Sequence, residues 1–248
     1  MRIGIIGAGS IGTILARRLA RAGHEVSVAN SRAPETVNTA ALTTGATAVW
    51  AADTTTDADV VIVSVNMKKI PDVAALVSKA PAGAVVLDTS NYFPFRDGVI
   101  LGLGDGQTES LWVQEQYGRP IVKAWNTITT ASFASKAMER GTPGRIALPV
   151  VADDDAHRAI GMSLVEQTGF DAFDAGVIAD SWRQQPGTPV YTTDLTADQL
   201  PGALAKADAR AAARRRELMI QILDERTEAE GTFPGPDFLL ALTRVLFQ

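Results

Sequence analysis

Over the first 176 residues short apolar runs alternate with segments of helical character, and this alternation constrains the fold more than any other feature. Arg2–Ile6, Glu25–Ala29, Val60–Val65, Val85–Asp88, Ile121–Ala124 and Ile146–Val151 read as strands. Ser10–Ala22, Glu35–Thr44, Ile70–Lys79, Thr130–Arg140 and Asp155–Thr168 read as helices between them. The run VVIVSV carries no polar alternate, as a parallel strand covered on both faces requires. Strand and helix in strict alternation predict an α/β fold with a doubly wound parallel sheet.

Gly7-Ala8-Gly9-Ser10-Ile11-Gly12 sits where the first strand meets the first helix and fits G-x-G-x-x-G. In a Rossmann unit the first glycine permits the tight turn. The second lets backbone approach a pyrophosphate, and the third lets helix and strand pack closely. The helix start then offers unpaired N–H groups and partial positive charge to phosphate. Ile11, Leu15 and Leu19 form the buried stripe of that helix, while Arg17, Arg18 and Arg21 favour its C-terminal end.

At the end of the second strand an NAD-binding chain usually places an acid on the ribose 2′-hydroxyl. Here Asn30-Ser31-Arg32 follows instead. A hydroxyl and a planar guanidinium suit a 2′-phosphate, so the expected cofactor is NADP(H). An ordinary polar turn is the alternative reading of these three residues.

With these motifs in place, the chain resembles the deazaflavin (coenzyme F420)-dependent NADP oxidoreductases. The resemblance lies in IGIIGAGSIG, LARRLARAGHEVSVANSRAPET, VVIVSV, VKAWNTI at Val122–Ile128 and ALPVVADDD, and covers residues 1–176. It implies a Rossmann fold, NADP(H), and hydride transfer to a deazaflavin or flavin-like co-substrate. It implies pyrophosphate binding at Gly9–Gly12 and 2′-phosphate binding at Ser31 and Arg32. It also implies that Ser64, Val65 and Asn66 line the nicotinamide side. Asn66 stands where family members often carry proline, and Glu35 and Val37 occupy a region where a further basic residue is common.

The expected division is an NADP-binding Rossmann domain over residues 1–176 and a small C-terminal helical segment over 177–248. That segment is expected to serve a substrate pocket, a dimer contact or both. Asp180–Asp194 reads as an irregular loop, and Leu200 to Glu228 as helix with Leu204, Ala211, Leu218 and Ile222 on one face. Asp237–Phe247 follows the breaker Phe233-Pro234-Gly235-Pro236, and its apolar face suits either core or a homodimer contact.

Ligands of open α/β sheets bind beyond the carboxyl ends of the strands. Asn66, Asn91 and Asn126 each follow a strand there and can orient an amide or carbonyl. Trp125, Asn126 and Trp182 are the substrate-side candidates. Asn126, Lys68 and Tyr191 are the candidates for a catalytic role, and no acid–base pair stands out. Lys123 is read as snorkelling from an apolar strand. His24 is read as structural, His157 as part of a solvated face, and Arg214-Arg215-Arg216 as a solvated or salt-bridged face.

The chain has 248 residues, 46% hydrophobic, 21% charged, with net charge −5 and no cysteine. Disulfides and thiolate metal sites are therefore excluded, and no metal is expected. The acidic balance argues against nucleic acid. No apolar run reaches membrane-spanning length, and the expected location is the cytoplasm. Three functions remain open: hydride transfer to a deazaflavin or flavin-like acceptor, reduction of a small carbonyl or imine, and NADP(H) sensing without turnover.

Overall fold

The computed structural model describes residues 1–103 and 106–248. Its centre is a six-stranded sheet built from β1 (Arg2–Ile6), β2 (Glu25–Ala29), β3 (Thr47–Ala48), β4 (Val60–Val63), β5 (Val85–Asp88) and β6 (Val122–Lys123). The spatial order is β3-β2-β1-β4-β5-β6, and every neighbouring pair is parallel. The order reverses between β1 and β4, which opens a crevice above their carboxyl ends. The chain thus has the doubly wound Rossmann sheet expected of it, followed by helices toward the C-terminus.

Both faces of the sheet are dry, which accounts for the missing polar alternate in β4. Val60 and Ile62 enter one core with Leu15 and Leu19 of α1 (Ser10–Arg21). Val61 and Val63 enter the other core, with Ile70 and Val77 of α2 (Ile70–Val77). A glycine inside β1 has a separate cause. A Cβ at Gly4 would lie 1.6 Å from the Thr54 carbonyl oxygen, so the 3-10 turn Ala51–Thr55 presses directly on the strand.

Several local expectations fail for identifiable reasons. Glu35–Thr44 forms two 3-10 turns, Pro34–Thr36 and Thr39–Ala41, rather than a helix. Val37 is extended, and the Asn38 side chain accepts from the Ala40 amide, which restarts the turn. Thr130–Arg140 shortens to Thr130–Ser135, beyond which Lys136 turns to pair with Asp194. Ile146–Val151 does not extend the main sheet. Its core, β7 (Ala147–Val150), pairs with β8 (Asp171–Asp174), and one antiparallel bridge joins Val151 to Lys123.

The segment expected to be an irregular loop is largely interior. After the 3-10 stretch Ile178–Gln184, residues 186–193 are all buried. Thr192 donates its amide to the Thr127 carbonyl at 2.8 Å, so the segment docks against the chain leaving β6. It is covered by α8 (Ala209–Glu230) and α9 (Pro236–Phe247), whose Met219, Leu223 and Phe247 pack on Tyr191. Leu218 is 43% exposed, while Ala212, Met219 and Leu223 are the buried residues of α8. The sevenfold spacing was right, but the stripe lies one residue further on. Asp208 caps α8 anew and separates it from Leu200–Ala205, so Leu204 and Leu218 do not share one helix.

Lys123 does not snorkel. It is 1% exposed, and its ammonium lies 2.6 Å from an Asp88 carboxylate that is fully buried. The same ammonium donates to the Ser90 carbonyl, and Ser90 gives both its amide and its hydroxyl to Asp88. Removing one member of such a pair leaves an uncompensated buried charge. Lys123→Met should therefore lower unfolding free energy by about 3–5 kcal/mol in urea titrations, and Asp88→Leu in the same chain should recover most of the loss.

Candidate functional site

The crevice at the strand-order reversal is a cleft of about 610 Å³. One end is made by Gly9, Ser10 and Ile11, and the floor by Ser64, Val65 and Asn66 after β4. Thr89, Ser90, Asn91 and Phe93 after β5 form one wall. The far end comes from Tyr191, Thr192, Phe233 and Leu239 of the C-terminal segment. Residues more than 200 positions apart in sequence therefore face one another across a single opening.

The glycine turn is shaped by contact and by its open side. Gly7 has φ +109°, and a Cβ there would meet the Ser64 carbonyl at 2.2 Å. A Cβ at Gly12 would lie 1.9 Å from the Gly7 carbonyl. At Gly9 it would meet nothing within 4 Å, so no protein packing requires that glycine. Gly9 is the N-cap of α1 without a side-chain cap, which leaves the first-turn N–H groups of α1 facing the cleft. A helix start left open in this way can accept an anionic group.

Beyond β2, Asn30 closes a turn by accepting the Arg32 amide at 2.8 Å. Ser31 and Arg32 are left exposed there, outside the cleft wall. Asn66 is exposed on the floor, and its side chain has no hydrogen bond among the described residues. Asn91 and Asn126 instead bond each other. The Asn91 amide donates to the Asn126 carbonyl at 2.9 Å, and the Asn126 amide donates to Asn91 Oδ1 at 3.2 Å. Asn126 is 2% exposed and also exchanges two bonds with Gln184. Of the three amides, Asn66 is free to meet a ligand and Asn126 is committed to the protein.

The other expected residues divide clearly. Tyr191 lies in the cleft and is 8% exposed. Burial, and then the Glu109 carboxylate, raise its phenol far above the ordinary value, so it stays an O–H donor. Trp125 touches the cleft, but its indole is in the core and donates to Thr168 Oγ1 at 3.1 Å. Its φ of 57° turns the chain sharply after β6. Lys68 and Trp182 are not in the wall. Lys68 donates to the Arg96 carbonyl, and Trp182 lies under the Arg183 guanidinium, 4.3 Å away. His24 bonds Gln167 at the far end of the sheet, and Asp154 caps the helix carrying His157.

Sequence reasoning missed the charged groups behind the wall. Between Asn91 and Phe93 the backbone is gripped at four points. Arg96 donates to the Asn91 carbonyl at 2.6 Å, and Arg216 of α8 reaches the Tyr92 carbonyl at 3.4 Å. Glu109 accepts the Tyr92 amide at 3.1 Å, and Asp97 the Phe93 amide at 3.0 Å. Glu109 begins α4 (Glu109–Tyr117) and is 2% exposed. Burial pushes its carboxyl up to about 7, against the opposing pull of Lys123, the Tyr92 amide and Arg216. Nothing local in the sequence marks Glu109, because its importance comes from a peptide 17 residues away.

Similar proteins fit this geometry. A 60-residue stretch is 47% identical to the Escherichia coli (strain K12) protein YjhV and covers 24% of this chain. The chain spans 44% of the length of that relative. The crystal structure of hypothetical protein SMa0349 from Sinorhizobium meliloti is 31% identical, with a TM-score of 0.67, over 79% of this chain and 95% of that one. A candidate F420-dependent NADP-reductase from Arthrobacter sp. FB24 shares the fold, at 21% identity and TM-score 0.60, over 94% and 96% of the two chains. Residues 2–92, which hold the glycine turn, Ser31, Arg32 and the floor of the cleft, match the family described as NADP oxidoreductase, coenzyme F420-dependent. Over residues 2–92 the chain belongs to that family of coenzyme F420-dependent NADP oxidoreductases.

Proposed function

We propose that the protein is an NADP(H)-dependent oxidoreductase whose acceptor is a deazaflavin or flavin-like ring. The observation that carries this reading is the continuity of the cleft from the Gly9–Ile11 turn to Phe93, Tyr191 and Phe233. Cofactor and acceptor would share one opening, with no protein layer between them. The bound dinucleotide would supply a hydride there.

The residues present suit that cofactor. Gly9 and the first turn of α1 would hold the pyrophosphate, and Asn66 would orient the nicotinamide amide. Ser31 and Arg32 would take the 2′-phosphate, with no acid beside them in that turn to repel it. On the acceptor side Phe93 stacks edge-on with Phe95 at 5.8 Å and lies 6.3 Å from Tyr191. Phe93 and Tyr191, with Phe233, Pro234, Pro236 and Leu239, make an apolar flank suited to a flat ring. Holding two rings in register is the main demand of such a transfer.

A second reading, reduction of a small carbonyl or imine, is favoured by one residue. Tyr191 keeps its proton and stands in the cleft, so it could deliver that proton to the acceptor's oxygen or nitrogen.

Gly9→Ala should leave the melting temperature unchanged yet weaken NADPH binding at least about tenfold, since its Cβ obstructs only the ligand. Gly12→Ala should lower both, because its Cβ meets backbone. Arg32→Ala should remove most of the preference for NADPH over NADH in fluorescence titrations, and equal binding by the unaltered protein would contradict the 2′-phosphate assignment. Oxidation of NADPH should next be followed with deazaflavin, flavin, carbonyl and imine panels. Tyr191→Phe should slow ring acceptors little, but carbonyls by about 10²-fold or more if Tyr191 is their proton donor.

A further inference from the structure

The four groups behind the acceptor wall are not equivalent. Asp97 and Arg96 are sequence neighbours of the peptide they hold and pair with each other at 2.8 Å. Glu109 and Arg216 come from remote helices and meet at Tyr92, one from each side of its peptide. Arg216 also lies over the Tyr92 ring, 5.4 Å from its centre, and its side chain is 11% exposed. Glu109 has Oε2 on the Tyr92 amide, while Oε1 is buried without a partner among the described residues. A carboxylate held this way is costly to bury and would be replaced readily if only packing mattered.

We propose that Glu109 is a positioning residue for the acceptor. Its ionised carboxylate fixes the Tyr92 peptide, and with it the cleft residues Asn91 and Phe93, and its protonation releases them. The proposal rests on the reading that the acceptor binds against this wall. Charge-assisted bonds are roughly twice as strong as neutral ones, so loss of the charge weakens the Tyr92 contact most. The groups facing Glu109 are Lys123 from β6, Asp88 from β5, Arg216 from α8 and Tyr191 from the C-terminal segment. Gln185, which follows the 3-10 stretch packed on α4, accepts the Glu109 amide at 3.0 Å. With the carboxyl near 7, the wall is loose at pH 6 and held at pH 8. Acceptor capture should rise with pH across that interval, while dinucleotide binding at the opposite end of the cleft should not.

The chain has three tyrosines, so ¹⁵N-tyrosine labelling of the whole protein gives a simple amide spectrum, with Tyr92 assigned by its loss in Tyr92→Phe. The Tyr92 amide proton should move downfield as pH rises, with a midpoint of about 7. Glu109→Gln should flatten that titration. Arg216→Gln should shift the midpoint upward, because it removes a cation that favours the ionised form. In parallel, kcat/KM for an active acceptor should rise about tenfold from pH 6 to pH 8, carried mainly by KM, and lose this dependence in Glu109→Gln. NADPH affinity should stay level over the same range. A Tyr92 amide that ignores pH, or one that still titrates in Glu109→Gln, overturns the proposal whatever the activity. A Tyr92 amide that titrates as stated while no acceptor is reduced supports the clasp and instead overturns the functional reading.

Discussion

The start of α1 can serve a ligand only because it is pressed against the ends of β1 and β4. Two backbone contacts set this arrangement: Gly7 against the Ser64 carbonyl and Gly12 against the Gly7 carbonyl. Both distances forbid a side chain. They bring the unpaired amides of α1 to the point where strand order reverses, the one place where neighbouring connections diverge to opposite faces. The cleft, its floor at Ser64–Asn66 and the wall after β5 all follow from that placement.

The start of α1 makes only part of the cleft. Another part is supplied by chain that the strand–helix alternation does not describe. Residues 186–193 lie buried between the chain leaving β6 and the pair α8–α9. They are anchored by side chains of α9, with Thr243 Oγ1 donating to the Thr192 carbonyl and Arg244 Nε to the Thr193 carbonyl. Thr192 and Asp194 both adopt positive φ, a conformation that persists where surrounding contacts enforce it. The outcome is that Tyr191 enters the cleft from a segment that reads, by composition, as a surface loop.

Charge burial divides the molecule in a similar way. Lys123 and Asp88 neutralise each other beneath the wall, and Ser90 bonds both of them. Glu109 has no such close partner, only an amide and the field of two cations. The first arrangement ties the end of β5 to β6. The second leaves one carboxyl poised near neutrality behind a ligand wall, a setting more typical of working sites than of structural cores.

The sequence by itself determined the parts whose physics is local. Apolar runs of strand length and the glycine turn need only neighbouring residues to be understood, and the Rossmann sheet and the tight turn into α1 were legible from them. Local competition hid some elements, as where Asn38 broke the helix expected over Glu35–Thr44. Tertiary structure alone decided which C-terminal residues line the cleft. Lys123 became an ion-paired core residue, Leu218 an exposed one, and Trp182 a residue outside the cleft lining, because each outcome depends on what a distant segment brings. Glu109 and Arg216 gain their significance only when two helices close on the Tyr92 peptide. A backbone turn is written in the residues that make it, whereas a site wall is written in whichever remote charges can reach it.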